Sequence, residues 1–313
     1  MGDCLRLTYA ITPPNRATSL ERRQTLAAAQ SARLSELPID ALLVYDLQDE
    51  AVRNQSPRPF PFVPKVDALG YAFDDLNVGK LPRVIYRTVA EQDEGSFRLW
   101  LDRLQAEGGH AILVGSPSRD SCPSLTLKQA FALCRAHSPT LFWGGVVIAE
   151  RHQLSGAEDV RICAKMQHGC RFFVSQTVWS TCATKQLLSD LCVRAEVAGV
   201  ALPPLLLTLS PCGSEQTLLF QEWLGVSVPA AVKRELRFAK DMLSRSIELA
   251  VETFAEVHDF ASEQGITVGC NVESVSSRAV EIDASMELVR RIDRLQCRAA
   301  KADAASVGIR AAE

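Results

Sequence analysis

The feature that most constrains this chain is a regular alternation of strand-like and helical sequence over nearly all of its 313 residues. Short apolar runs bounded by turn-forming residues predict strands, and apolar residues with helical spacing predict helices. Each predicted strand is followed by helical sequence, and this repetition favours one parallel sheet covered by helices. The predicted strands are Leu5–Thr12, Ala41–Tyr45, Arg83–Thr88, Ala111–Val114, Phe142–Ile148, Arg171–Gln176, Leu205–Leu209 and Thr267–Glu273.

The repetition predicts a single-domain α/β protein, a closed (β/α)8 TIM barrel over residues 1–297. Residues 298–313 are rich in alanine and carry no apolar stripe, so we expect a frayed tail there. An open doubly wound sheet would have a glycine-rich phosphate-binding turn after its first strand, whereas Pro13 and Pro14 occupy that place. Late in the chain, Val232–Glu263 is predicted as one long helical stretch.

Composition narrows the class of function. The net charge of −3 disfavours non-specific nucleic-acid binding, which needs a surplus of Lys and Arg. We find no signal-peptide pattern and no apolar run long enough to span a bilayer, and therefore expect a cytoplasmic protein with no membrane partner. The ten cysteines are scattered without a CxxC pair, which predicts reduced thiols.

The active site of such a barrel lies at the carboxyl ends of its strands. Polar residues at these ends include Asp46 and Glu50 after the second strand, Ser116 after the fourth, Gln176 on the sixth and Glu273 on the eighth. This mouth has no cluster of His and Cys of the kind that holds a metal. Its carboxylates, amides and arginines favour a polar, anionic, heteroaromatic ligand.

Four segments give the chain a resemblance to a known family. They are ITPPNR (Ile11–Arg16), GGVVIAERH (Gly144–His152), HGCRFFVSQTVW (His168–Trp179) and LGVSVPA (Leu224–Ala230). In this order and spacing, the sequence resembles methylenetetrahydrofolate reductase. The resemblance implies an oxidoreductase of one-carbon metabolism that reduces 5,10-methylenetetrahydrofolate to 5-methyltetrahydrofolate with NADH or NADPH.

The resemblance also assigns residues to the folate. Gln176 matches the glutamine that holds the pterin ring, and Arg278 matches an arginine near the folate tail. Leu236 stands where the family has a phenylalanine that stacks on folate or nicotinamide, so it keeps the apolar contact and loses the stacking. Further cations that could line the path of the tail are Arg16, Arg58, Lys65 and Arg119.

The family's flavin contacts are only partly present. Glu150 and His152 match a segment near the flavin, whereas Ser116 replaces an aspartate that faces the flavin ring. The arginine that contacts the flavin diphosphate aligns with Ala164, next to Lys165. Whether FAD binds therefore stays open, and we expect a variant in which hydride passes directly from the nicotinamide to the folate.

The family's catalytic acid, a glutamate on the first strand, is replaced by Ala10. Alanine cannot donate a proton, so the acid must come from another strand. Glu273 is the first candidate, because the eighth strand neighbours the first in a closed barrel. Asp46 and Glu50, after the second strand, are the others.

Two other interpretations of the sequence stay open. Loss of the acid at Ala10 is compatible with an accessory subunit that binds folate without turnover, and the fold is compatible with another folate-dependent one-carbon enzyme. The proline-rich segment Ser56–Pro64 could hold Phe60 and Phe62 as a lid over a ring system or pack as an ordered loop. The sequence leaves a homo-oligomer possible and does not choose between NADH and NADPH.

Overall fold

The computed structural model describes residues 5–49, 56–116 and 122–310, with side chains as far as residue 300. Within these residues, eight parallel strands pair in chain order, and the eighth pairs with the first to close the barrel. The predicted single-domain (β/α)8 barrel is therefore confirmed. The strands are β1 (Leu7–Ile11), β2 (Ala41–Val44), β3 (Arg83–Thr88), β4 (His110–Val114), β5 (Trp143–Val147), β6 (Phe173–Thr177), β7 (Leu205–Leu209) and β8 (Val268–Glu273).

Helices cover the outside of the barrel. They are α1 (Leu20–Ser35), α2 (Ala68–Gly70), α3 (Glu94–Ala106), α4 (Leu127–His137), α5 (Ala149–Ser155), α6 (Glu158–Gln167), α7 (Thr181–Ala198), α8 (Glu215–Trp223), α9 (Ala230–Phe238), α10 (Met242–Glu263) and α11 (Ala279–Arg310). The stretch predicted as one long helix is two helices, because the Asp241 side chain accepts from the backbone N–H groups of Leu243 and Ser244 and starts α10 afresh.

Aliphatic and aromatic side chains fill the inside of the barrel. Leu43, Ile112 and Leu206 from three different strands are fully buried there. Phe172 lies beside Gly144 on β5, where a Cβ atom would come within 2.6 Å of the Phe172 carbonyl oxygen. The glycine is therefore required by the close approach of its neighbour, and the lower barrel is a packed core with no room for a ligand.

The two ends of the chain meet where the barrel closes. Tyr9 on β1 and Ser285 on α11 share a hydrogen bond of 2.7 Å between their hydroxyls. Gln296 donates to the Arg6 carbonyl at 2.9 Å. The helix continues to Arg310, through most of the segment expected to fray, and fraying itself stays a prediction. None of the helices described is long and apolar enough to cross a bilayer.

Candidate functional site

Glu273 ends β8 and pairs directly with Ala10 on β1. The Glu273 carboxylate accepts a hydrogen bond of 3.0 Å from the Thr177 hydroxyl, which lies on β6, two strands away. Both side chains therefore point into the barrel mouth. The only carboxyl group carried by β8 thus lies beside Ala10, where the resemblance to the reductases implies a glutamate.

Two tyrosines complete a group that we call the mouth cluster, made of Tyr45, Tyr86, Thr177 and Glu273. Tyr45 forms a hydrogen bond with the Glu273 carboxylate. The ring centres of Tyr45 and Tyr86 are 4.6 Å apart. Below them, Asn271 donates to the Thr208 hydroxyl at 3.1 Å. Every hydroxyl and amide in this layer has a partner, which holds the carboxyl group in a fixed position.

Burial raises the pKa of the Glu273 carboxyl, although the hydrogen bonds from Tyr45 and Thr177 partly oppose this effect. Burial also raises the pKa of Tyr45 well above its usual value, and the neighbouring Glu273 adds to the effect. The phenol therefore stays protonated, while the carboxyl group holds its proton to a higher pH than an exposed glutamate. Such a carboxyl group can act as a general acid.

A cavity with a volume of about 580 Å³ lies at the rim of the barrel. This rim cavity is lined by residues 9–15, by residues 274–278 and by side chains of α1, α8 and α11. Ala10, opposite Glu273, and Ser274, next to it, both belong to the lining. Its volume is typical of a small-molecule site.

Residues 56–65, which we call the strap, also line the rim cavity. At one end, the Trp223 indole on α8 donates to the Ser56 carbonyl at 2.9 Å. At the other end, Lys65 pairs with Asn15 across an isolated β-bridge. The strap is therefore an ordered segment fixed to both sides of the cavity. Phe60 and Phe62 belong to the lining of the cavity, and Phe60 also packs against Phe220, so both a lid and an ordered loop stay open.

The rim cavity is electropositive. Its lining includes Arg58, Lys65 and Arg278 and, among the residues described, no carboxylate. The Arg58 guanidinium lies 4.8 Å from the Trp223 ring centre and 5.3 Å from that of Phe220. Burial, together with the nearby Arg58, lowers the pKa of Lys65. Arg58 also lies 3.8 Å from the Asp49 carboxylate, which partly balances its charge.

Gln176 does not line the rim cavity. Its side-chain amide donates to the Leu224 carbonyl at 2.9 Å, in the segment between α8 and α9. It adjoins Thr177, and so lies next to the mouth cluster.

Asp46 is tied to the end of β3. Its carboxylate accepts from the Thr88 backbone N–H at 3.1 Å and lies 3.6 Å from the Arg87 guanidinium. Burial raises the pKa of Asp46, and Arg87 opposes the shift. These contacts fix Asp46 at the end of β3, and its role as the acid stays a prediction. Glu50 and Arg119, the other sequence candidates here, lie outside the described residues.

The residues matched to a flavin site do not line the rim cavity. His152 is buried among helices outside the barrel, where Nε2 lies 2.7 Å from Asp190 and Nδ1 3.6 Å from Asp159. The Lys165 ammonium donates to the Val146 carbonyl, and burial lowers its pKa. Burial raises the pKa of Glu150 on α5.

Ser116 and Leu236 also lie away from the rim cavity. Ser116 follows β4 at the barrel mouth. Leu236 has no exposed surface, because it packs in a separate apolar cluster with Trp179, Cys212 and Leu218. A ligand could reach Leu236 only if this cluster opened.

Sequence reasoning missed Tyr45, Tyr86 and Thr177. Tyr45 is the last residue of the predicted second strand. Residues two apart on a strand share a face, so Leu43 and Tyr45 could have been placed inside the barrel together. Thr177 is placed by a register irregularity in the pairing of β6 with β7, between Val174 and Thr177. No residue pattern in the sequence predicts such an irregularity.

Comparison with protein-family models gave no match, and comparison with curated proteins gave none. Among solved structures, a Xanthomonas albilineans dihydropteroate synthase is 15% identical, with a TM-score of 0.42 over 93% of this chain and 92% of its own. A psychrophilic family 10 endo-β-1,4-xylanase is 10% identical, with a TM-score of 0.47 over 93% and 96% of the two chains. Both are too distant to bear on function.

A third solved structure is much more similar. It is an uncharacterized protein from Clostridium thermocellum that binds two copies of 5-methyl-5,6,7,8-tetrahydrofolic acid. The two chains are 34% identical, with a TM-score of 0.81, and the match covers 93% of this chain and 96% of the other. This chain therefore belongs to the same family of barrel proteins as the Clostridium thermocellum protein.

Proposed function

We propose that this protein binds a reduced folate at the open end of its barrel and reduces the methylene form of that folate. Support for the ligand comes from the Clostridium thermocellum relative, which binds 5-methyltetrahydrofolate. The mouth cluster suits the pteridine, because the oxygens of Glu273 and Tyr45 can accept from ring N–H groups. Arg278, at the edge of the mouth, suits a carboxylate of the tail.

The observation that carries the reductase proposal is the pairing of Glu273 with Ala10. Reduction of 5,10-methylenetetrahydrofolate begins when its five-membered ring opens to an iminium, and the leaving nitrogen needs a proton. Glu273 is the group proposed to donate it, since burial keeps this carboxyl protonated to a higher pH. NADH or NADPH, as second substrate, supplies the hydride that the iminium carbon accepts.

A flavin fits this chain poorly. The Lys165 ammonium is engaged by the Val146 carbonyl, and His152 is enclosed by two aspartates. Ser116 lacks the carboxylate that the family presents to the flavin ring. As a set, these residues do not form a surface that would hold the group, and the proposed reaction has no step through it.

The reductase proposal is tested by NADH and NADPH oxidation with 5,10-methylenetetrahydrofolate. Glu273→Gln removes the proton and keeps a hydrogen-bond acceptor, so we expect kcat to fall roughly 10²- to 10⁴-fold while folate affinity changes little. For the unchanged protein, kcat should decline as the pH rises through the raised pKa of Glu273. Asp46→Asn is the matched control. Loss of turnover in Asp46→Asn alone would move the acid to Asp46.

A second candidate function is folate binding without reduction. It is favoured by Ala10, which cannot donate a proton and stands where the reductases have their catalytic acid. Calorimetric titration with 5-methyltetrahydrofolate, read together with the nucleotide oxidation assay, separates the two. Tight binding with no nucleotide oxidation would support the binding protein, and absence of binding would contradict both candidates.

A further inference from the structure

Asn271 lies in the polar layer below Glu273 and has no exposed surface. Both residues are on β8, two apart, so both side chains point into the barrel. The Asn271 amide accepts from the Thr8 hydroxyl on β1 at 3.0 Å. It also faces Thr208 on β7 and Tyr45, directly after β2. A buried amide with partners on three sides is held in one of its two orientations.

The orientation of this amide follows from the Thr208 hydroxyl. That hydroxyl donates its hydrogen to the Ser175 carbonyl at 2.6 Å, so only its lone pairs are left to face Asn271. The group of Asn271 that lies 3.1 Å from the Thr208 hydroxyl is therefore the NH2 group. The other hydrogen of this group is directed at the Tyr45 oxygen, at 3.4 Å.

The Tyr45 hydroxyl is thereby oriented as well. Its oxygen accepts from Asn271, so its own hydrogen turns away from that residue. An ionised carboxylate can only accept, so the hydrogen bond between Tyr45 and Glu273 runs from the phenol to the carboxylate. Thr177 donates to the same carboxylate at 3.0 Å. Two donors thus stabilise the negative charge that Glu273 carries once it has released a proton.

The titratable groups around Glu273 are phenols. Tyr45 and Tyr86 face it from the second and third strands, and Tyr9 lies on the outer side of β1. Burial raises the pKa of each phenol, so all three are neutral near pH 7. Among the residues described, the effects that oppose burial of the Glu273 carboxyl are therefore hydrogen bonds, and the one from Tyr45 is the stronger.

We propose that Asn271 is a positioning residue for Glu273 and acts through Tyr45. By fixing the direction of the Tyr45 hydroxyl, Asn271 keeps a donor aimed at the carboxylate that remains when Glu273 gives its proton away. The proton moves from Glu273 to the leaving nitrogen of the folate, and the phenol keeps its own hydrogen. That the proton goes to a folate rests on the proposed function, whereas the orientation of Tyr45 by Asn271 does not.

The test is the pKa of Glu273 in the protein without ligand, read by infrared spectroscopy from the carboxyl band that is lost in Glu273→Gln. We expect Tyr45→Phe to raise this pKa by roughly one pH unit, because a donor to the carboxylate is lost. Asn271→Leu should raise it by a smaller amount. The double variant should match Tyr45→Phe, since Asn271 acts through the phenol. Tyr86→Phe, which removes the neighbouring phenol hydroxyl, is the matched control and should leave the pKa unchanged.

Asn271→Leu should fold, because the two hydroxyls that lose the amide keep an acceptor. Thr208 donates to the Ser175 carbonyl, and Thr8 lies 3.4 Å from the Cys270 carbonyl. In the nucleotide oxidation assay, kcat of Asn271→Leu should fall roughly threefold, with KM for the folate within about twofold. Its decline in kcat should also move to higher pH, in step with the raised pKa. A purely structural role would lower kcat without moving the pH profile.

An unaltered pKa of Glu273 in Asn271→Leu would overturn the proposal, and so would a double variant whose shift is the sum of the two single shifts. Should Asn271→Leu not fold, which circular dichroism would show, Tyr45→Phe decides, and an unaltered pKa there would overturn the proposal. Absence of nucleotide oxidation by the unchanged protein would overturn the reductase proposal instead. The pKa of Glu273 would still test the role of Asn271, because it is measured without substrate.

Discussion

His152 is a buried imidazole whose partners are carboxylates on neighbouring helices. The Asp159 carboxylate is only 3% exposed. It lies 2.6 Å from the Arg194 guanidinium and 3.6 Å from the His152 ring. Removing the ring breaks its 2.7 Å hydrogen bond with Asp190 and leaves a cavity beside the buried Asp159. We therefore expect His152→Ala to lower the free energy of unfolding by about 2 kcal/mol without changing the Kd for 5-methyltetrahydrofolate.

Urea unfolding and calorimetric titration measure these two quantities for His152→Ala. Gln153→Ala, at an exposed neighbouring position, is the control and should leave both unchanged. A tenfold weaker Kd at unaltered stability would instead place His152 in the ligand site, as the resemblance to the reductases implies.

At the scale of elements, the strap is held to α8 by aromatic contacts. Phe220 lies edge-on to Phe60 at 5.1 Å and under the Arg58 guanidinium at 5.3 Å. We expect Phe220→Ala to release the strap, because both contacts are lost while the prolines keep the segment extended. Hydrogen exchange over residues 56–65 should rise, and folate affinity should fall about tenfold. Leu219→Ala, on the exposed face of α8, should change neither. An unaltered strap would mean that its ends alone hold it.

The elements also show what the sequence can predict. All eight strands were predicted, and the bounds of β3 and β7 agree fully, because a compact apolar run bounded by turns leaves few alternatives. The helix α8 was missed, since seven of its nine residues, Glu215 and Gln216 among them, are polar or aromatic and give no clear stripe.

The candidate site was predictable only in part, for a physical reason. Chain order in a closed barrel makes the first and eighth strands neighbours, so Glu273 could be placed near Ala10. The rim cavity depends on where the strap crosses the barrel, and that is decided by the long-range contacts of Trp223 with Ser56 and Lys65 with Asn15. No local pattern encodes such contacts.

At the scale of the whole molecule, the rim cavity lies above the pairing of β1 with β8. We call this pairing, which closes the barrel, the seam. Residues 9–15 and residues 274–278 line the cavity from opposite ends of the chain, and β1 and β8 pair beneath it. A bound folate would contact both sides of the seam at once, so binding should oppose global opening of the barrel. At a free folate concentration of 100 times Kd, binding should raise the free energy of unfolding by about 2.7 kcal/mol.

Hydrogen exchange can locate this effect. With 5-methyltetrahydrofolate present, amide exchange should slow in β1 and in residues 274–278 together, and change least in β5 on the far side of the barrel. Protection of one side of the seam alone would contradict a ligand that bridges it. Equal protection of all strands would show general stabilisation without a local contact. Protection of both segments would show that the bound ligand contacts the first and the last strand together. Binding at the site would then be coupled to closure of the barrel.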